Sequence, residues 1–288
     1  MSRGHGIGRY YPIKKAVKIV QKLLKPDVAT VQGHKMYLDK NDSLNLAMNG
    51  IYGEFETSLV KNEISPGDVV IDIGGHIGYF TLIFAKLVGS EGKVFTFEPE
   101  PTNFEILRKN VEMNCYQNVV LEQKAVSDKN GTCELFVGQS SSGANRIYQP
   151  KKTKTQKFRP SIASTVRLDD YFANSDLTNK IKFIKMDVEG AELLALRGMR
   201  NILQSNKTLT IFTEFIKNAL EDAGTDPSEM LDFLKKMGFE IYLVDEQNAK
   251  VSPLDVVDLL TSKNFEKRTI NLLCKKTDIP NIIKQIIK

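Results

Sequence analysis

Short apolar runs rich in β-branched residues alternate along most of the chain with longer segments of helical apolar periodicity. The first pattern is typical of buried strands, and the second of helices that pack on a sheet. The predicted strands are residues 30–38, 69–73, 94–97, 119–126, 133–137, 181–186, 209–212, 239–244 and 269–273. The predicted helices are residues 54–62, 78–87, 101–114, 191–203 and 227–236. Because strands that alternate with helices form a mostly parallel sheet covered on both faces, we expect an α/β fold, with one of the last two strands antiparallel.

Both ends of the chain differ from this regular region, because residues 13–24 and 282–288 place apolar side chains at helical spacing between lysines. This pattern predicts basic amphipathic helices, which either cap a protein core or lie on an anionic membrane surface. We therefore expect an N-terminal extension over residues 1–50, a main domain over 51–276 and a C-terminal amphipathic helix over 277–288. No apolar run approaches the ~20 residues of a membrane span, so any membrane contact is expected to be peripheral.

The composition argues against several classes of site. The formal net charge of +5 is mild, so a nucleic-acid partner is not expected. The three cysteines and three histidines show neither C-x-x-C nor metal-ligand spacing, so we expect no disulfide framework and no zinc site. No motif requires another metal, although clustered carboxylates can hold magnesium, so metal assistance stays open. With no recognisable secretory signal, these features favour a reducing location in the cytoplasm or at the inner surface of its membrane.

Residues 140–160 are polar and then basic, and the segment is longer than most loops of compact domains. Its charge is explained either by a solvated insertion or by a lid that contacts an anionic acceptor. Asn145, which ends the small-residue stretch SSSGAN, is a candidate acceptor contact. The lysines of the segment are Lys151, Lys152, Lys154 and Lys157.

The strongest chemical signal is the sequence VVIDIGGHIG at positions 69–78, where a buried strand leads through a glycine-rich turn into a helix. Glycines allow positive φ and a close approach of ligand to backbone, and a helix N-terminus offers free N–H groups to an anion. The spacing of Asp72, Gly74 and Gly78 differs from the G-x-G-x-x-G of dinucleotide folds. It suits a ligand with an amino-acid tail, such as S-adenosylmethionine, whose ammonium needs a carboxylate nearby.

Glu98 ends the next predicted strand. A carboxylate at this point can accept hydrogen bonds from both hydroxyls of a ribose, as it does in dinucleotide folds. Glu98 therefore supports a nucleoside ligand without distinguishing S-adenosylmethionine from a nicotinamide cofactor.

Acidic residues also follow two later strands. Asp187, Glu189 and Glu192 come directly after residues 181–186, and Glu214 follows residues 209–212. Because ligands of open α/β sheets bind beyond the carboxyl ends of the strands, we expect these acids at the same cleft as Asp72. Glu189 and Glu192 have an alternative role as favourable first-turn acids of the following helix.

Taken together, these segments resemble the FkbM family of class I methyltransferases over roughly residues 50–215. The segments that carry the similarity are PGDVVIDIGGHIGYFTLIFAKLVG, VFTFEPEPTNFEILRKNVEMN, AVSD, STVRLDDYF and IKFIKMDVEGAELLALRGM. The resemblance implies a Rossmann-like class I methyltransferase fold, with a seven-stranded, mostly parallel sheet that contains one antiparallel strand.

The resemblance also implies S-adenosylmethionine as the cofactor. Its methionine part is expected near Asp72, Gly74, Gly75 and Gly78, its ribose on Glu98, and its adenine near Ala125 and Asp128. The DVEGAE segment is expected beside the transferred methyl group and the acceptor.

Family members act mainly as O-methyltransferases, so the expected acceptor is a hydroxyl of a small molecule or glycan. Asp187 is the first candidate for the group that accepts the hydroxyl proton, and Glu189 is the second. The pair Gly75-His76 stands where the family more often has Ala-Asn. His76 is expected either to contact acceptor or cofactor or simply to fill the space of the Asn side chain, and Glu214 and Asn145 are expected on the acceptor side.

Two other functions remain open at this point. A nicotinamide-dependent oxidoreductase is disfavoured by the missing G-x-G-x-x-G. A non-catalytic binding module with the same fold is disfavoured because the acidic and glycine positions named above are intact.

Overall fold

The computed structural model describes residues 26–139, 141–150, 157–262 and 268–276. The strands are β1 Val28–Val31, β2 His34–Tyr37, β3 Val69–Ile73, β4 Lys93–Phe97, β5 Val119–Glu122, β6 Ala125–Val126, β7 Gly131–Gly138, β8 Phe158–Val166, β9 Ile181–Met186, β10 Thr210–Phe215, β11 Glu240–Asp245, β12 Lys250–Pro253 and β13 Ile270–Lys275. The helices are α1 Leu46–Asn49, α2 Glu54–Glu63, α3 Tyr79–Val88, α4 Pro101–Met113, α5 Leu168–Tyr171, α6 Glu192–Arg197, α7 Arg200–Ser205, α8 Lys217–Asp222, α9 Pro227–Lys236 and α10 Val256–Thr261. A single-turn 3-10 helix spans Thr178–Lys180.

The central sheet has the strand order β12-β11-β13-β10-β9-β3-β4-β5. Its middle is parallel, since β3 pairs in parallel with β4 and β9, β4 with β5, and β9 with β10. β13 runs antiparallel to both β10 and β11. The predicted α/β class and Rossmann-like class I methyltransferase fold are confirmed.

The sheet has one strand more than expected. β12 pairs antiparallel with β11 and covers what would otherwise be its free edge. Its sequence, KVSP, has a single buried apolar residue, Val251, and therefore gives almost no strand signal. As a result, the eight-stranded sheet contains two antiparallel strands, β12 and β13, instead of one.

Apolar side chains fill the space on both faces of this sheet. All five residues of β3 are buried, with Ile71 and Ile73 in one core cluster and Val70 in the other. A strand that is buried on both faces reads as a continuous apolar run, which is why β3 is predicted without error. The only polar residue in that run is Asp72, which is 1% exposed.

Three predicted elements are each divided into two in the structure. The strand predicted over residues 119–126 is two strands: β5 stays in the central sheet, and β6 joins β7 and β8 in a separate three-stranded sheet. The helix predicted over residues 191–203 is broken between α6 and α7, where Gly198 lies against the backbone of Ser127. The Asp169 carboxylate accepts hydrogen bonds from the backbone N–H groups of the first turn of α7 and so begins a new helix.

The strand predicted over residues 30–38 is a hairpin, β1 and β2, that turns at Gln32 and Gly33, both with positive φ. The hairpin packs on α4, where the Asn110 side chain bonds both the N–H and the C=O of Tyr37. The two predicted terminal amphipathic helices lie outside the described residues. Within the described ranges, no helix is long and apolar enough to span a bilayer.

Candidate active site

A cavity of about 240 Å³ opens beyond the carboxyl ends of β3, β4, β9 and β10. This is the position at which open α/β sheets bind ligands. It brings together ten residues that the sequence singles out: Asp72, Gly74, Gly75, His76, Glu98, Ala125, Asn145, Asp187, Glu189 and Glu214. Gly78 and Asp128 are not among its lining residues.

The glycine-rich turn forms one wall of the cavity. The N–H groups of Gly74 and Gly75 both donate to the carbonyl of Phe97, at 2.9 and 3.1 Å, which ties the turn to the end of β4. Gly74 has φ 83°, and a Cβ there would lie 2.0 Å from the backbone oxygen of Asp187. A Cβ on Gly75 would lie 2.2 Å from a methyl carbon of Thr96. Both positions therefore require glycine.

Gly78 does not line the cavity, although the family resemblance implies a place for it beside the methionine part of the cofactor. It precedes α3 with φ 94°, and a Cβ there would lie 2.8 Å from the Leu107 side chain of α4. Glycine at this position allows α3 and α4 to pack closely. It supports the turn on the side away from the cavity.

Asp72 presents a carboxylate at the floor of the cavity. Its Oδ2 accepts a 2.6 Å hydrogen bond from Thr81 Oγ1. Its Oδ1 is buried and has no hydrogen-bond partner among the described residues. Burial raises the pKa of Asp72 above its ordinary value. An unpartnered buried carboxylate oxygen costs free energy, which a cationic or N–H ligand recovers.

Glu98 is fixed by the backbone. Its Oε2 accepts from the N–H of His76 and its Oε1 from the N–H of Glu100, both at 2.9 Å. Burial raises its pKa to about 7, although these hydrogen bonds act in the opposite direction. Because a carboxylate has about four acceptor positions, Glu98 can still accept two hydroxyl hydrogens on its cavity side.

Of the two residues expected near the adenine, Ala125 lines the cavity and Asp128 does not. Ala125 and the adjacent Val126 are buried and line it. Asp128 is exposed, and its carboxylate accepts a 3.3 Å hydrogen bond from Ser127 Oγ. The chain turns outward after β6, so Asp128 does not reach the cavity.

The other end of the cavity is acidic. Asp187 follows β9 with its side chain 39% exposed, and Lys185 Nζ lies 3.4 Å from its Oδ2. Burial and the nearby Asp187 raise the pKa of Glu189 to about 7, and its carboxylate lies 3.3 Å from Arg146. Burial and the same neighbouring acids raise the pKa of Glu214 well above its usual range, and its Oε2 has no partner among the described residues. The Glu189 carboxyl can therefore accept or release a proton near neutral pH.

Glu192 does not line the cavity. It has a structural role in the turn that leads into α6. Its Oε1 accepts from the N–H groups of Val188 and Gly190, at 3.3 and 3.1 Å, and so closes the turn before α6. Burial raises its pKa to about 7, and its Oε2 has no partner among the described residues.

This burial predicts a pH-dependent effect of Glu192→Gln on stability. The folded-state pKa of about 7 exceeds the ordinary 4.5, so the stability that the uncharged carboxyl provides is lost as pH rises from about 4.5 to about 7. Gln keeps the accepting oxygen and never ionises. The variant is therefore expected to raise the free energy of unfolding at pH 8 by up to about 3 kcal/mol, since one pKa unit corresponds to about 1.4 kcal/mol. Urea unfolding at pH 5 should show a much smaller gain, and equal gains at both pH values would contradict the assignment.

Residues 141–145 form a strap over the part of the cavity that Glu98 and Asn103 line. Ser142 holds it: its hydroxyl lies 2.7 Å from His76 Nε2 and 2.8 Å from Ser43 Oγ. Its carbonyl accepts from the side-chain amides of Asn103 and Asn145, both at 2.9 Å. The cavity is thereby closed on this side by contacts that join the N-terminal extension, the glycine-rich turn and α4.

His76 and Asn145 therefore use their side chains to hold the strap in place. Burial lowers the pKa of His76 to about 4, so its ring is neutral at physiological pH and bonds Ser142. The Asn145 side chain bridges the carbonyl of Ser142 and the N–H of Gly138, at 2.9 and 3.1 Å. Both residues line the cavity but shape it mainly through the strap.

Of the basic loop, Lys157 is exposed, while Lys151, Lys152 and Lys154 lie outside the described residues.

The sequence reasoning did not single out every cavity residue, and Lys185 and Tyr52 are two of those it missed. Lys185 is a charged residue inside the apolar run of β9, and that irregularity was the available signal. Tyr52 precedes α2, and no local pattern distinguishes it.

Across the residues that the structure describes, no group of three or more His, Cys, Asp or Glu side chains is placed to hold a metal ion.

The Methyltransferase FkbM domain matches residues 72–241, which is more than half of the chain. The protein belongs to the FkbM methyltransferase family. This match covers every strand of the central sheet from the glycine-rich turn to the beginning of β11. Membership disfavours the nicotinamide-dependent alternative.

Among curated relatives, hexuronic acid methyltransferase AglP of Haloferax volcanii is 29% identical over 185 residues, 62% of this chain and 66% of that protein. The 31-O-demethyl-FK506 methyltransferase FkbM of Streptomyces tacrolimicus is 34% identical over 164 residues, 48% of this chain and 62% of that protein. Methyltransferase 1 of Beauveria bassiana is 27% identical over 144 residues, 45% of this chain and 57% of that protein. The chain therefore matches these three relatives over less than two thirds of their length.

Proposed function

We propose that this FkbM-family protein is an S-adenosylmethionine-dependent O-methyltransferase whose acceptor is a hydroxyl of a sugar, glycolipid or secondary metabolite. One observation carries the proposal. A single cavity joins a cofactor-type end, made by Asp72, Gly74 and Glu98, to an acidic end made by Asp187 and Glu214. A methyl donor and a hydroxyl must meet in such a space for transfer to occur.

The residues at the first end fit the cofactor. The unpartnered Oδ1 of Asp72 suits the methionine ammonium, and the free acceptor positions of Glu98 suit the ribose hydroxyls. Gly74 and Gly75 leave room that a Cβ would fill. The apolar Ala125 and Val126 suit the adenine. Bound there, S-adenosylmethionine supplies a methyl carbon already activated by its sulfonium.

The residues at the second end act on the acceptor. A hydroxyl loses its proton as the new bond to carbon forms, and a nearby carboxylate can accept that proton. Asp187 is our first assignment for this role because it is half-exposed at the end of β9 and borders both parts of the cavity. Glu189, held by Arg146, is the second. Glu214 and Tyr52 border the space that the acceptor would occupy.

The relatives support the acceptor class in general terms. One is named as a methyltransferase of hexuronic acid and the other as a methyltransferase of 31-O-demethyl-FK506, so the relatives act on sugars or small molecules. Peripheral contact with an anionic membrane and a cytoplasmic location remain predictions. Co-sedimentation of the full chain with anionic and neutral vesicles at low and high salt tests the membrane contact.

Calorimetric titration tests the cofactor half of the proposal. S-adenosylmethionine and S-adenosylhomocysteine are expected to bind with micromolar affinity, about −8 kcal/mol, and NAD is expected not to bind. Glu98→Ala should weaken binding at least about tenfold, because losing hydrogen bonds to a charged acceptor costs about 1.5–3 kcal/mol. Asp128→Ala is the matched control and should bind like the parent.

Each outcome of the titration bears on a different part of the proposal. Folded protein that gives no heat with either adenosyl ligand contradicts the proposed function. Normal affinity in Glu98→Ala would show that the ribose lies elsewhere. Radiolabelled methyl transfer to a panel of neutral, acidic and amino sugars, and to lipid-linked glycans, then identifies the acceptor.

A further inference from the structure

A buried lysine lies between the two ends of the cavity. Lys185 is in β9, directly opposite Asp72 of the neighbouring strand β3 in the sheet register. It is 4% exposed, and its Nζ lies 3.4 Å from Asp187 Oδ2. The same Nζ lies 4.9 Å from the centre of the Phe80 ring. Lys185 therefore contacts the acceptor-side acid while it faces the cofactor-side acid.

The surroundings of Lys185 keep it charged. Burial alone lowers the pKa of a lysine, but Asp187, Asp72 and Glu56 act against burial and together raise the pKa of Lys185 above its ordinary value. Glu56, on α2, is itself buried. Among the side chains that line the cavity, the other ammonium belongs to Lys124, which pairs with Glu122 and is turned away from these acids. Lys185 thus balances a group of carboxylates that would otherwise repel one another.

A purely structural role does not account for a lysine at this place. Its neighbours Ile184 and Met186 are completely buried apolar residues, and an apolar side chain would fill the same volume without the cost of removing an ammonium from water. The ammonium interacts with both carboxylates to which the proposed function gives a role: it contacts Asp187, and Asp72 is its partner in the sheet register.

We propose that Lys185 is a positioning residue shared by both ends of the cavity: its ammonium holds the Asp187 carboxylate towards the acceptor and neutralises Asp72 behind the cofactor. This rests on the proposed function. Without the ammonium, Asp72 takes up a proton more readily, and a protonated Asp72 no longer attracts the ligand's ammonium. Loss of Lys185 therefore makes ligand binding fail at a higher pH than in the parent.

S-adenosylhomocysteine, which carries the same amino-acid tail as the cofactor, is the probe, and its affinity is measured by calorimetry from pH 6 to pH 9. In Lys185→Met, affinity at pH 7 is expected to fall about tenfold or more and to recover towards the parent value at pH 9, because removing a cation at this distance raises carboxyl pKa values by about 1–3 units. Lys185→Arg keeps the charge and should retain most of the parent curve. The charged and titratable groups facing Lys185 are Asp72, Asp187, Glu56, Glu214 and His76.

Lys182→Met is the matched control, since Lys182 is on the same strand but exposed, with its Nζ on Thr208 Oγ1 at 2.7 Å. If Lys185→Met does not fold, the double variant Glu56→Gln/Lys185→Met takes its place, since it removes the cation together with one acid. Its curve of ligand affinity against pH is expected to move to higher pH in the same way. An unshifted curve in the folded Lys185 variant, or equally weak binding at every pH, overturns the proposal. Absence of binding by the parent instead contradicts the proposed function.

Discussion

Asp187→Asn is expected to lower the single-turnover rate of methyl transfer about 10²–10⁴-fold, the usual contribution of a general base. Asn has nearly the shape of Asp and can still accept a hydrogen bond from Lys185, so the cavity should keep its form. It lacks the basicity needed to take the hydroxyl proton. Affinity for S-adenosylhomocysteine should therefore change far less than the rate. Rapid-quench measurement at saturating cofactor, with the acceptor found in the panel above, gives the rate.

The competing role for Asp187 is to hold the methionine ammonium. In that case affinity falls first, and saturating cofactor restores much of the rate. Asp232→Asn, an exposed residue of α9, controls for the general effect of removing a carboxylate. Normal rate and normal affinity in Asp187→Asn would exclude both roles, and the proton acceptor would then be sought at Glu189 and Glu214 by the same measurements on their Gln variants.

The central part of the fold could be predicted because its signals are local. β3 and β9 are short segments dominated by buried apolar residues, and α9 begins at Asp226-Pro227, where Asp226 caps the helix by accepting from the N–H of Ser228. β12 and the break between β5 and β6 could not, since they depend on contacts with distant segments. The break between α6 and α7 likewise follows from the approach of Gly198 to Ser127, which local periodicity does not encode.

The candidate site also combines residues that local signals place correctly with residues whose positions depend on distant contacts. Residues at strand ends, such as Asp72, Glu98 and Asp187, could be placed together because parallel strands end at one edge of a sheet. Asp128 does not line the cavity, because the chain leaves the central sheet after β5 and β6 pairs with β8 instead, which no local pattern predicts. The role of His76 was hidden because its partner Ser142 is 66 residues away along the chain.

Gly74→Ala is expected to have the largest effect on the protein as a whole. The new Cβ must occupy a positive-φ backbone position and also meets the backbone oxygen of Asp187 at 2.0 Å. Backbone cannot move aside as a side-chain tip can, so the ends of β3 and β9 must separate. The combined strain and overpacking predict a loss of about 2–6 kcal/mol in the free energy of unfolding. Binding of S-adenosylhomocysteine should disappear, because the same movement displaces Asp72 and Asp187.

Gly67→Ala separates the two causes. Gly67 has φ 87°, close to the 83° of Gly74, but a Cβ there meets nothing within 4 Å. It therefore reports the cost of the left-handed backbone alone, about 1–2 kcal/mol. Urea unfolding of both variants, followed by calorimetric titration, measures the difference that the contact with Asp187 makes. If Gly74→Ala were no less stable than Gly67→Ala and still bound the ligand, β3 and β9 could not approach as closely as the structure shows, and the cavity would have to be built differently.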